Sequence, residues 1–179
     1  PSRHPGYNML LRCEPERIGN GLVGAPHSFF DRSGLGDASQ FFRDLVTDLG
    51  AIRGKGYVGI ITGSPDIGRI RDGRSPEELK GVYAFLFLLP GLPFVYNGDE
   101  IGMNNVAGLG NKEGSYNRSA VRTPMQWTAG PKAGFSSADP ARFYLPLDPS
   151  FDRPDVASQE KDPASLLNFT RALLKLRAA

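Results

Sequence analysis

The chain has 179 residues, 40% hydrophobic and 22% charged, which is enough for one domain with a sizeable core and too apolar for a disordered segment. Its 21 basic and 19 acidic residues leave a net charge of +2 and no basic stripe of the kind that neutralises phosphates or anionic lipid, arguing against nucleic-acid and membrane partners. The single cysteine, Cys13, cannot close an internal disulfide, and no metal-ligand spacing is present, so no cofactor is expected and a reducing, cytoplasmic setting is the default.

The opening Pro1-Ser2-Arg3-His4-Pro5 has neither an initiating Met nor the apolar stretch of a signal peptide, and reads as a cut rather than a natural start. Residues 6–13 (GYNMLLRC) carry apolar side chains on both alternating faces and lead into Glu14-Pro15, the pattern of a mostly buried strand with a polar exit. Asp37, with Gln40 three positions on, resembles a capping box that opens a helix through Phe41, Phe42, Leu45, Val46 and Leu49, all on one face. Gly54-Lys55-Gly56 ends that helix, and residues 57–61 (YVGII) form a second strand of buried type.

Ser75-Pro76-Glu77-Glu78 is a helix start with Ser as N-cap, Pro in the first turn and Glu reaching back, and the helix runs to about Leu89. Pro90-Gly91 ends it and breaks the longest apolar run, residues 82–93, which falls short of the roughly 20 residues a membrane span needs. Residues 93–97 (PFVYN) form a third short strand opening onto Gly98-Asp99-Glu100. Residues 101–161 show little periodicity and much Gly, Pro, Asn and Ser, the mark of a long functional loop. A last helix is expected to begin near Asp162-Pro163 and to carry Leu166, Leu167, Leu173 and Leu176.

The order strand, helix, strand, helix, strand, each strand followed by a polar step, predicts parallel βαβ units in an α/β fold. Functional groups in a parallel barrel gather at the C-terminal strand ends, where Glu14, Asp66, Asp99 and Glu100 fall. Carboxylates converging there suit glycoside cleavage, whose oxocarbenium-like transition state favours fixed negative charge. The same residues suit helix caps and backbone anchors, the more usual role of acidic residues after strands, and the spacing alone leaves both readings open.

Residues 90–103 (PGLPFVYNGDEIGM) are similar to the eighth-strand signature of the α-amylase family of glycoside hydrolases. Arg122-Thr123-Pro124-Met125-Gln126-Trp127, followed by Ala133-Gly134-Phe135-Ser136, resembles the next segment in its oligo-1,6-glucosidase and trehalose synthase branch. Gln159, Lys161-Asp162-Pro163, Ser165-Leu166-Leu167 and residues 173–177 (LLKLR) resemble the helix that closes the catalytic domain there. The resemblance implies a partial (β/α)8 TIM barrel in which residues 6–13, 57–61 and 93–97 are strands six, seven and eight. Strands one to five and the C-terminal β-domain would lie outside residues 1–179, and with them the nucleophilic Asp and the acid/base Glu.

The resemblance further implies a retaining α-glucosidase or trehalose synthase-like parent acting on α-linked gluco-oligosaccharides. Asp66 stands where the family carries its third catalytic carboxylate, although Ser64 and Pro65 replace the Asn and His that precede it in the family. Pro lacks the donor that the family His offers to sugar hydroxyls, which implies slowed, altered or lost activity. Arg122 matches an arginine that grips the terminal glucose, against a loop-pinning ion pair. Arg69, three residues past Asp66, is the second substrate-binding candidate, and either orients the carboxylate or faces solvent. Asp99 and Glu100 are expected to anchor the loop, and Trp127 and Phe135 to pack beneath it rather than stack on sugar. The alternative is a non-catalytic α-amylase-like barrel serving as a carbohydrate-binding or scaffold protein, favoured by Ser64-Pro65.

Overall fold

The structure is a computed structural model that describes residues 39–66, 68–71, 73–112 and 118–179. The expected strand at 6–13, with Cys13 and Glu14, and the capping residue Asp37 lie outside the described residues, as do His4 and His27.

Helix α1 spans Ser39–Ile52 and buries Leu45 in the core, while the Phe42 ring meets Phe85 edge-on at 5.8 Å. It stops two residues before Gly54, as the Gly-Lys-Gly signal implies, with the Lys55 N–H returning to the Ile52 carbonyl at 2.8 Å. Strand β1, Gly59–Ile61, is shorter than the expected 57–61 because the Tyr57 side chain is exposed and pairing begins at the Val58 carbonyl, which accepts the Leu92 N–H at 2.7 Å.

Helix α2 spans Pro76–Leu88 and starts as the sequence dictates. The Ser75 hydroxyl accepts the Glu78 N–H at 3.2 Å, and the Glu78 carboxylate accepts the Ser75 N–H at 2.7 Å. Leu79, Val82, Tyr83, Leu86 and Phe87 of this helix are buried, and each such side chain is stabilised by roughly 1.5–3 kcal/mol relative to exposure. With Leu45, Ile60 of β1, Leu166 and Leu173 they form the main core, inside which Tyr83 and Phe87 stack at 5.5 Å.

Strand β2, Leu92–Phe94, pairs in parallel with β1, with α2 as the crossover between them, so the expected parallel βαβ unit is present. It ends before the expected Asn97 because the Tyr96 N–H is captured by the Thr62 hydroxyl at 3.0 Å instead of a ladder carbonyl. The register opposes Gly59 with Leu92 and Ile61 with Phe94, placing these four on one face, where Leu92 and Phe94 stand 46% and 55% exposed.

Residues 101–161 are largely irregular, as expected, with single 3₁₀ turns at Ser119–Val121 and Pro140–Arg142. They also contain a short helix that the weak periodicity hid, α3 at Val156–Lys161, capped by the Asp155 carboxylate on the Ser158 N–H. The last helix, α4, spans Leu166–Ala178, and its start corrects the expectation of a cap at Asp162. Asp162 terminates α3, while the Ser165 hydroxyl accepts the Asn168 N–H and caps α4. Gln159 fastens both helices, its amide donating to the Ile101 carbonyl at 2.8 Å and accepting the Leu167 N–H at 3.0 Å. Near the far end of α4, the Arg177 guanidinium donates to the carbonyls of Phe87, Leu89 and Gly91, satisfying groups left open where α2 ends and β2 begins.

Candidate functional site

The loops leaving β1 and β2 lie side by side because their strands are parallel neighbours, and the candidate residues sit on them. After β1 the chain runs Thr62-Gly63-Ser64-Pro65-Asp66, where the Ser64 hydroxyl accepts the Asp66 N–H at 3.1 Å and shapes the turn that presents Asp66. The Asp66 side chain is 47% exposed. Its Oδ1 receives Nη1 of Arg118 at 2.7 Å and Nη2 of Arg122 at 2.9 Å. Arg122 Nε also donates to the Pro65 carbonyl at 2.8 Å, so one guanidinium spans both the backbone and the side chain of the turn. Pro65, which has no N–H to offer, contributes its acceptor instead.

Asp66 and Arg122, separate candidates in the sequence, meet in the structure. Arg118 was not among the candidates, although its i, i+4 spacing from Arg122 could be read in the chain; the 3₁₀ turn between them is seen only in the structure. That turn aims both cations at the same carboxylate oxygen, which makes the corner a cationic clamp with half-exposed anionic and polar edges, suited to gripping hydroxyl groups.

Arg69 does not face solvent, which corrects one of the two expectations for it. Its side chain is 1% exposed, its Nη1 donates to Asp99 Oδ1 at 3.0 Å and to the Asn97 carbonyl at 2.8 Å, and its Nη2 donates to the Val121 carbonyl at 3.0 Å. The Tyr96 ring covers the guanidinium at 4.9 Å. Arg69 therefore lies beneath the surface that a substrate would touch. A position three residues past Asp66 carried no sign of this in the sequence, because burial of an arginine is decided by its carboxylate partner on another loop.

That partner is Asp99, itself buried, whose Oδ2 accepts the Thr62 hydroxyl at 2.7 Å. Burial pushes the Asp99 carboxyl up from 3.8 to about 6, outweighing the opposing pull of Arg69 and of the Thr62 hydrogen bond. Burial also raises the Tyr83 phenol, with the Asp99 charge adding to it, and the phenol donates to the Asp99 carbonyl at 2.6 Å. Gly63 is required at this junction: a Cβ there would lie 2.6 Å from Asp99 Oδ2. Glu100 accepts the Gly98 N–H at 2.8 Å, so Asp99 and Glu100 both anchor backbone and loop structure.

Trp127 and Phe135 are each 47% exposed, and Phe135 packs edge-on against Phe143 of the same long loop, so the expected packing under the loop covers these residues only in part. Among the described residues no group of three or more His, Cys, Asp or Glu side chains converges on a possible metal position, and no helix is long and apolar enough to cross a membrane.

The family profile for the α-amylase catalytic domain matches residues 51–179. The trehalose synthase/amylase TreS of Mycobacterium tuberculosis is 48% identical over 98 residues, covering 52% of this chain and 15% of its own length. A probable oligo-1,6-glucosidase 3 of Bacillus subtilis is 32% identical over 128 residues, covering 56% and 23%. The human amino acid transporter heavy chain SLC3A1 is 34% identical over 118 residues, covering 65% and 17%. The chain thus spans between 15% and 23% of the length of these relatives. In fold, it superposes on an isomaltulose synthase variant from Erwinia rhapontici solved with D-glucose, at a TM-score of 0.65 and 23% identity, covering 80% of this chain and 32% of the other. On the profile match over residues 51–179, the chain belongs to the α-amylase catalytic-domain family.

Proposed function

We propose that this chain is the C-terminal part of the (β/α)8 catalytic barrel of a retaining glycoside hydrolase acting on α-glucosidic bonds of gluco-oligosaccharides. In this reading β1 is barrel strand seven and β2 strand eight. Strands one to five, the nucleophilic Asp, the acid/base Glu and the C-terminal β-domain belong to the rest of a longer, cytoplasmic protein. The observation that carries the reading is Asp66, exposed at the exit of β1 and held at 2.7 Å and 2.9 Å by two arginines from the loop beyond β2. Asp66 would supply fixed negative charge beside the sugar ring in the oxocarbenium-like transition state, and Arg122 would bind hydroxyls of the same glucose unit.

The names of the relatives support the substrate class, since an oligo-1,6-glucosidase and a trehalose synthase/amylase both handle glucosides. The test is release of glucose, or formation of a transferred or isomerised disaccharide, when the full-length protein is given maltose, isomaltose and an aryl α-glucoside. Neither product from any of the three overturns the reading.

A second reading, a non-catalytic barrel acting in carbohydrate binding or as a scaffold, is favoured by Pro65 in place of the donor residue and by the likeness to a transporter heavy chain. The coding sequence upstream discriminates the two. An intact Asp after strand four and Glu after strand five support the enzyme, and loss of either supports the scaffold.

A further inference from the structure

Segment 62–69 carries Asp66 near its middle and is tied to one buried carboxylate at both ends. At the near end the Thr62 hydroxyl donates to Asp99 Oδ2 at 2.7 Å, and at the far end Arg69 Nη1 donates to Asp99 Oδ1 at 3.0 Å. The Arg69 backbone is held as well, its N–H donating to Asn105 Oδ1 at 2.9 Å. The other half of the clamp is secured from the same place. Val121 directly precedes Arg122, and its carbonyl accepts both Arg69 Nη2 at 3.0 Å and the Tyr96 phenol at 3.1 Å. A single buried guanidinium therefore spans the loop that presents Asp66 and the turn that presents Arg122.

We propose that Arg69 and Tyr96, seated on Asp99, are positioning residues that set the spacing between Asp66 and Arg122 and so govern recognition of the sugar hydroxyls. The inference rests on the glycosidase reading and deepens it. The planar, forked donor set of arginine is needed because its targets, the Asn97 and Val121 carbonyls and the Asp99 carboxylate, lie on different sides of the group. An ammonium at this position satisfies one side and releases another. Tyr96 is half-buried and contributes one hydroxyl to the same carbonyl, so its removal loosens the turn without uncovering a buried charge.

The test compares full-length wild type with Tyr96→Phe and Arg69→Lys on an aryl α-glucoside and on its monodeoxy analogues. The readout is the ratio of kcat/KM for the glucoside to kcat/KM for each deoxy analogue, which does not depend on the fraction of folded protein. Positioning of a hydroxyl-binding pair makes this ratio fall in the variants for at least one hydroxyl, by about 3- to 10-fold for Tyr96→Phe, the usual effect of one neutral hydrogen bond, and by more for Arg69→Lys. Parallel losses on all substrates, with the ratio held at its wild-type value in Tyr96→Phe, mean that the two residues serve only the fold, and the proposal is overturned. Should Arg69→Lys fail to fold, Tyr96→Phe alone decides. No turnover by wild type on any of these substrates instead overturns the glycosidase reading, and the positioning proposal falls with it.

Discussion

Arg69 and Asp99 meet at 3.0 Å with side chains only 1% and 0% exposed, so a fully desolvated ion pair sits directly beneath the half-exposed corner formed by Asp66 and Arg122. Taking both charges out of water is costly, and the raised carboxyl of Asp99 records that cost.

The pH dependence follows in sign. With its folded value at about 6 against 3.8 for the free group, Asp99 binds its proton more tightly when folded, so stability falls as pH rises through the window from about 4 to about 6. Two pKa units correspond to about 3 kcal/mol. Asp99→Asn removes this slope, so the unfolding free energy of wild type minus variant is expected to decline from pH 4 to pH 6 and then level off. Denaturant titrations at four pH values check it, and a difference that rises with pH contradicts it.

Gly63→Ala sets a methyl group 2.6 Å from Asp99 Oδ2. The neighbour is one end of a pinned carboxylate that has little room to yield, so a loss of about 1–3 kcal/mol is expected, the usual range for overpacking. Thermal unfolding of the full-length variant measures it, and an unchanged midpoint contradicts the geometry.

Asp66→Asn separates activity from stability. The pairs with Arg118 and Arg122 are partly exposed and screened, so the stability change is expected to stay within about 1 kcal/mol. Turnover of an aryl α-glucoside is expected to fall by about 10²- to 10³-fold, the scale seen when one electrostatic contact to a transition state is removed. Full activity in the folded variant counts against a catalytic carboxylate at this position.

Ser75→Ala deletes the hydroxyl half of the capping box on α2. The expected cost is about 1 kcal/mol, with no change in kcat/KM, because the cap lies at the start of α2 rather than at the corner that holds Asp66. Chemical denaturation together with a substrate assay on the same preparation tests both halves.

What could be read from the sequence follows the range of the forces involved. The Ser75 and Glu78 cap, the stop at Gly54 and the parallel βαβ order depend on residues a few positions apart, and the structure has them. Asp162 misled because Asp-Pro is a good local helix start, yet the competing Ser165 cap won once Gln159 drew α3 and the start of α4 together. Asp66 was found as a carboxylate at a strand end and given its role by the family resemblance despite Ser64 and Pro65 before it, whereas Arg122 was found through the resemblance of its own neighbours. The buried place of Arg69 was hidden because its partners Asn97, Asp99 and Val121 are 28, 30 and 52 positions away. Strand β2 was drawn too long because a side chain, the Thr62 hydroxyl, took the hydrogen bond that pattern reasoning assigns to a ladder.

Leu92 and Phe94 leave one face of the strand pair open to water. Hydrocarbon displayed in a row on a parallel sheet favours contact with any other apolar layer of matching shape. The same area that favours burial against a further apolar layer also favours contact between like molecules, so joining and clumping draw on a single source of free energy.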